Sequence, residues 1–386
     1  MKKELRNIFI SRILVGLVSG FLMVGLPLYL LNLGFDISSI GTIFGIAILF
    51  YAFLSFYLGS LSEFKGRLKI GMYALVGLII SSSLFSIIPL LAAVVAFVIF
   101  VIAKLLFNTS ESIFGNIVKI RILDLTRNKK LGSAYGALIL AISLGYGIGI
   151  LLGSFALLFV SFQFVFVILT ILLVISVIFY SKTGDIKTRT IKRKNYFSGL
   201  FKAPKLFKIV LLINTVLVVG SYLVDFFGLP LYQKEILGMQ NEQIFILLGS
   251  AWLIYGIFSH LGGKVYDKYG IKTFAISMFL ISIMSFLLAV VKDVTLFAVI
   301  LIIDYIFFAF ADPARFALAG LASRKSKGVL LSSFEFFSLV IAGLIMLAFG
   351  QLVSLFKFEF IFYVRAAVQI IAILLLIPVH KMLKKR

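Results

Sequence analysis

Twelve apolar blocks divide this chain, each about as long as the roughly 20 residues that a helix needs to cross a bilayer. They lie near residues 8–31, 39–59, 70–88, 91–116, 133–158, 161–181, 207–231, 243–261, 273–291, 294–314, 329–353 and 359–379. In hydrocarbon no water is available to backbone N–H and C=O groups, so a block of this kind is expected to satisfy them internally as a helix. Hydrophobic residues make up 62% of the 386, and charged residues only 13%, which is more apolar surface than a soluble core of this length can bury. The expected fold class is therefore an all-α integral membrane protein with twelve transmembrane helices.

A formal charge of +22 raises the question of a nucleic-acid partner, and the distribution of the charge answers it. With the amino terminus taken as cytoplasmic, about thirty of the 37 Lys and Arg fall at the termini or in even-numbered connections, and only Lys234, Lys292 and Lys357 fall in the opposite ones. This positive-inside bias sets both termini in the cytoplasm of a multi-pass cell (plasma) membrane protein, and no nucleic-acid partner is expected. The basic start at Lys2, Lys3 and Arg6 resembles a signal peptide. Its apolar run is too long for one, and the first span is expected to be retained. The chain has no cysteine, and His260 and His380 have no companions for a metal site, so neither metal nor cofactor is expected.

The polar connection that begins at Lys182 divides the spans six and six. It is read as a cytoplasmic linker, 182–206, between a half at 1–181 and a half at 207–386. The halves repeat: Gly25-Leu26-Pro27-Leu28-Tyr29 recurs as Gly228-Leu229-Pro230-Leu231-Tyr232, and Leu33-Gly34 recurs as Leu237-Gly238. Gly59, Glu63 and Gly66 recur as Gly263, Asp267 and Gly270. Two six-helix pseudo-repeats entered from the same side are parallel repeats about the membrane normal, an arrangement typical of secondary transporters.

Polar residues inside the spans mark where such a protein is wet. In the fourth span Lys104, Asn108, Glu111, Ser112, Gly115 and Lys119 recur at steps that place them on one helical face. A charge left in lipid costs several kcal/mol, so this stripe is expected to face a central cavity. Asp304, Asp312 and Arg315 share a face of the tenth span, with Asp304 expected opposite Lys104 across that cavity. Arg12 is expected either to pair with Glu111 or to snorkel to the interface. Asp225 is expected at the cavity or its outer gate, and Glu335 either as a proton site or as the partner of a basic loop residue. Arg365 is read as a structural anchor near the outer surface, and Trp252 and the many Phe as packing.

The loop Gly59-Ser60-Leu61-Ser62-Glu63-Phe64-Lys65-Gly66-Arg67 and its copy from Gly263 to Gly270 resemble the signature loop of the major facilitator superfamily. The segment from Asp124 to Gly136 is similar to that family's loop between its fourth and fifth spans, and the resemblance covers nearly the whole chain. It implies a twelve-helix fold around a central cavity. It further implies a latch on the cytoplasmic side formed by the loop residues, Gly59, Glu63, Gly66, Arg67, Gly263, Asp267 and Gly270. Glu63 stands where the family usually has Asp, and Phe64 where it has a basic residue. Lys104 falls where many members carry a membrane-embedded arginine implicated in proton coupling. Gly145, Gly149 and Gly153 form a small-residue ridge read as helix packing. The ridge also resembles the family's antiporter motif, with Ile150 where that motif has proline.

The function expected from these features is secondary active transport of a small molecule by alternating access. Lys104, Asn108, Glu111, Ser112, Asp225, Asp304 and Glu335 are the candidate substrate and proton-coupling residues. Proton-coupled export of an amphipathic or drug-like compound is the first expectation, and proton symport of a sugar, organic anion or peptide the alternative. The partners expected are the substrate, protons or another coupling ion, and the bilayer, with the protein a monomer. No convergent catalytic set is visible, so an enzyme is not expected. A non-transporting sensor with a transporter fold is the alternative from another class.

Overall fold

The computed structural model describes residues 2–32, 35–88, 91, 93–126, 131–159, 162–184, 203–322 and 327–384. In the first half they form α1 (Lys2–Asn32), α2 (Ile37–Lys65), α3 (Arg67–Ile87), α4 (Ala93–Leu125), α5 (Leu131–Phe159) and α6 (Phe162–Ser181). In the second half α7 (Lys205–Leu223) continues through a π-helical turn, Val224–Gly228, into α8 (Leu229–Glu235). The remaining helices are α9 (Asn241–Tyr269), α10 (Ile271–Val290), α11 (Val294–Ala322), α12 (Lys327–Phe356) and α13 (Phe360–Lys384). Twelve helices among the described residues are long and apolar enough to cross a membrane, matching the twelve blocks of the sequence. Several run past them. At a rise of 1.5 Å per residue α4 is about 50 Å long, well beyond the roughly 30 Å of hydrocarbon, so its polar end from Lys119 to Asp124 leaves the apolar zone.

Local chemistry starts and stops these helices. Asp36 caps α2, accepting from the backbone N–H groups of Ser38 (3.2 Å) and Ser39 (3.4 Å). The Ser39 hydroxyl donates to the same carboxylate and holds its pKa below the usual range. At the start of α9 the Gln243 side chain accepts from the Gln240 backbone N–H at 2.9 Å. The short turns α2–α3 and α9–α10 are made by the second glycine of each signature loop. Gly66 has φ 90° and Gly270 φ 63°, backbone conformations that side chains with a Cβ resist. The same glycine therefore does the same job in both repeats.

Apolar burial does not drive helices together in lipid, because the tails are as apolar as Leu, so close approach of small residues has to do more. In the first half the ridge of α5 does this: a Cβ on Gly145 would run into Ile13 and Gly16 of α1, one on Gly149 into the Leu17 carbonyl, and one on Gly153 into the Phe21 ring. Gly149→Val is accordingly expected to separate α1 from α5 and lower the melting temperature of the purified protein by several degrees; an unchanged melting curve would contradict this packing role. Between the halves, α5 lies along α9 with Gly132 against Gly263, Gly136 against Ser259 and Gly147 against Leu253. On the opposite side α2 lies along α12, with Gly45 against Leu347, Gly343 against Leu49 and Gly350 against Ser38.

Lipid-facing surfaces segregate as the pseudo-symmetry requires. Val167, Ile171 and Ile178 of α6, Phe279 and Phe286 of α10, and Ile370, Leu374 and Ile377 of α13 are all exposed. Among the described residues, helices α3, α6, α10 and α13 contribute none to the central cavities, whose walls come from α1, α2, α4, α5, α7, α9, α11 and α12 together with the π turn. At the end of the bundle away from the termini, Lys292 pairs with Glu359 and donates to the Tyr232 hydroxyl at 3.2 Å. Burial works against the Glu359 charge, but the Lys292 ammonium outweighs it and lowers the carboxyl pKa.

Candidate functional site

Two cavities lie between the halves. The larger, about 220 Å³, is walled by Arg12, Glu111, Ser112, Asn116, Lys119, Tyr146, Asn214, Asp225, Trp252, Tyr255, Tyr305, Asp312 and Arg315, among others. The smaller, about 130 Å³, is walled by Ser19, Phe44, Lys104, Phe107, Asn108, Glu111 and Met346, among others. Tyr51, Glu111, Tyr146 and Tyr222 belong to both walls and form the neck between them.

The stripe on α4 is spread over this path. Lys104 and Asn108 face the smaller cavity, Ser112, Gly115 and Lys119 the larger, and Glu111 both. Arg12 of α1, 4% exposed, donates to Glu111 at 2.6 Å, and the Tyr146 hydroxyl lies 3.5 Å from the same oxygen. Lys104 is buried with its ammonium 4.5 Å from the centre of the Phe44 ring. Among the described residues no carboxylate lies within ion-pair distance of it.

The second half carries its own charge cluster. Arg365, with no exposed surface, donates to Asp304 at 2.8 Å and lies 3.4 Å from Asp225. This changes two expectations. Asp304 is fully buried on α11 and lines neither cavity, so it does not face Lys104 across one; the guanidinium of α13 draws it away. Arg365, expected as a structural anchor near the outer surface, is enclosed within the half by two buried carboxylates. Asp312 pairs with Arg315 at 2.7 Å and accepts from the Tyr255 hydroxyl at 2.5 Å. Arg315 also donates to Asn214 at 3.2 Å.

Asp225 sits in the π turn and lines the larger cavity. Pro230, in the first turn of α8, has no N–H to give to the carbonyl four residues earlier, and a π turn just before it absorbs that defect. Neither Asp225 oxygen accepts a hydrogen bond. The side chains of Glu63 and Glu335 lie outside the described residues. So do the side chains around Gly59, although its backbone belongs to α2.

The latch residues are placed as follows. Asp267, at the end of α9, accepts from the backbone N–H groups of Gly132 and Ser133, both at 2.9 Å, and from the Ser133 hydroxyl. A carboxylate thus sits on the amino terminus of α5, where the helix dipole favours it. Gly263, one turn earlier, packs against the Gly132 backbone. In the first copy Arg67 pairs with Asp124 and donates to the Ile120 carbonyl at 3.5 Å, tying α3 to α4 inside one half. Asp267→Asn is expected to weaken the inter-half contact by about 1 kcal/mol and to raise the labelling rate of a cysteine placed at Ser133; equal labelling would remove Asp267 from the latch.

Several wall residues went unmarked in the sequence. Asn214 and Ser221 are two of them: they recur with Asp225, which the sequence did mark, at steps of seven and four, the same stripe pattern as on α4. Trp252 is a cavity wall residue rather than plain packing, with Tyr146, Tyr255 and Tyr305 rings at 5.1, 5.3 and 6.0 Å.

The profile of the Major Facilitator Superfamily matches residues 8–290. The chain belongs to the Major Facilitator Superfamily. Among solved structures, this superfamily member is similar to the human organic anion transporter MFSD10 (TETRAN), at TM-score 0.75 and 13% identity over 97% of this chain and 99% of that one. It is likewise similar to a bacterial homologue of the iron transporter ferroportin in its outward-facing state, at TM-score 0.75 and 14% identity over 98% and 99% of the two chains. At these identities the likeness speaks for the fold. No curated protein sequence matches the chain.

Proposed function

We propose that the protein is a proton-coupled secondary transporter whose two halves rock about the central cavities, exporting a small amphipathic compound. One observation carries the coupling: Asp225 and Asp304 share the single guanidinium of Arg365 in a buried cluster. Full ionisation leaves one of these two buried carboxylates uncompensated, and an uncompensated charge inside the membrane is costly enough to make a proton its natural partner. Asp225 belongs both to this cluster and to the cavity wall, so a proton and a polar substrate compete there, as antiport requires. Glu111, at the neck, is the second proton candidate, with Lys104, Asn108 and Ser112 as substrate contacts.

The aromatic walls suit an amphipathic compound, and an inward proton gradient then drives it outwards. Import by proton symport of a sugar, organic anion or peptide is the second reading, favoured by Ile150 where the antiporter motif has proline. On this reading the protein is a monomer of the cell membrane with both termini cytoplasmic, organised as 1–181, linker 182–206 and 207–386, and it catalyses no covalent chemistry. The test is pH-gradient-driven flux in proteoliposomes. Glu111→Gln and Asp304→Asn are each expected to lower it, and flux left intact in both would overturn the proton-coupled reading.

A further inference from the structure

The charges along the two cavity walls are not all spent, and those left over have opposite signs at opposite ends. In the larger cavity Arg12 is matched with Glu111 at 2.6 Å and Arg315 with Asp312 at 2.7 Å, and the third cation of that wall, Lys119, is engaged with its ammonium 4.5 Å from the centre of the Phe316 ring. Asp225 is not matched in this way. Its one basic neighbour, Arg365, lies at 3.4 Å and gives its closer contact, 2.8 Å, to Asp304, while both Asp225 oxygens are without hydrogen bonds. In the smaller cavity the position is reversed. Glu111 is engaged by Arg12, so Lys104 is left with the face of Phe44, a contact weaker than an ion pair for a desolvated ammonium. Asp225 and Lys104 are 5% and 7% exposed, and the exposed part of each faces a cavity.

We infer that the transported compound is an amino-carboxylate zwitterion, its amine meeting Asp225 in the larger cavity and its carboxylate meeting Lys104 in the smaller one. This rests on the transport function proposed for the same site. A singly charged ligand would satisfy one buried group and leave the other without a partner, whereas a zwitterion satisfies both. A carboxylate fits the smaller cavity better than a phosphate, since a dianion would call for a second cation there and Lys104 stands alone beside Glu111. The rings of Trp252, Tyr255 and Tyr305 favour an aromatic or apolar body near the amine, passing the tyrosines of the neck. A proton and the amine then compete for Asp225, and the carboxylate end plays no part in that competition.

Binding of peptide probes to the purified full-length protein tests the inference: Phe-Phe and Phe-Phe-Phe, each with its C-terminal amide and its N-acetyl form, measured by calorimetry. At least one free peptide is expected to bind about tenfold or more tightly than both of its singly charged forms. Lys104→Met should abolish the preference for peptide over amide while keeping the preference over the N-acetyl form, and Asp225→Asn should do the reverse, in variants whose melting curves show a folded protein. Absence of a zwitterion preference in both series overturns the inference, as does a carboxylate preference that survives Lys104→Met. The two readings fail separately. Selective binding without counterflow of the bound peptide would sink transport alone, and proton-coupled flux of other compounds without zwitterion preference would sink this inference alone.

Discussion

Arg365→Met is expected to be the most damaging single substitution in the second half, lowering yield and melting temperature in detergent sharply. The guanidinium has no exposed surface and stands between Asp304 and Asp225, which are themselves buried. Removing one member of such a cluster leaves uncompensated charge in a low dielectric, typically at a cost of about 3–5 kcal/mol. The sign of the effect can be checked within the same cluster. Arg365→Met combined with Asp304→Asn removes a charge of each sign, so part of the lost stability should return. A single variant that melts like the wild type, or a double variant worse than the single by the full cost of Asp304→Asn, would mean that the cluster does not hold α11 and α13 together.

Asp225→Asn should leave exchange and remove accumulation. The side chain keeps its size and polarity, so substrate counterflow in proteoliposomes is expected to continue, though with altered affinity. What it loses, on the proposed reading, is the group at which proton and substrate compete. One coupled proton supplies about 1.4 kcal/mol per pH unit, or about tenfold in the substrate ratio across the membrane, and the variant should forfeit that factor. Accumulation that still follows the pH gradient in Asp225→Asn would move the coupling site to Glu111.

The fold was readable because the bilayer leaves a chain few choices. Blocks of fixed length, basic connections on one side and a doubled signature loop give twelve helices in two halves, and α1 to α13 follow them. The stripe on α4 was readable for the same reason, since a charge in hydrocarbon needs a wet face, and Lys104 and Glu111 do line cavities. Periodicity within one helix, however, says nothing of which neighbour a charge meets. Asp304 shares a helical face with Asp312, yet the first turns to Arg365 and the second to Arg315 and Tyr255. The partners of Arg365 were not legible, because nothing in its own sequence reports two carboxylates on other helices. Asp225 was placed at the cavity by its sequence, but its sharing of Arg365 with Asp304 was not legible there.

The carboxylate of Asp267 holds the start of α5 at a place where Ser133 is open to solvent. Water and its ions reach that contact, and at physiological ionic strength charges are screened over about 8 Å. The cluster around Arg365, a guanidinium with no exposed surface, is shielded from the same ions. On the proposed transport reading, the Asp267 contact answers to the salt of the adjoining compartment, so ionic strength shifts how readily the protein opens on that side.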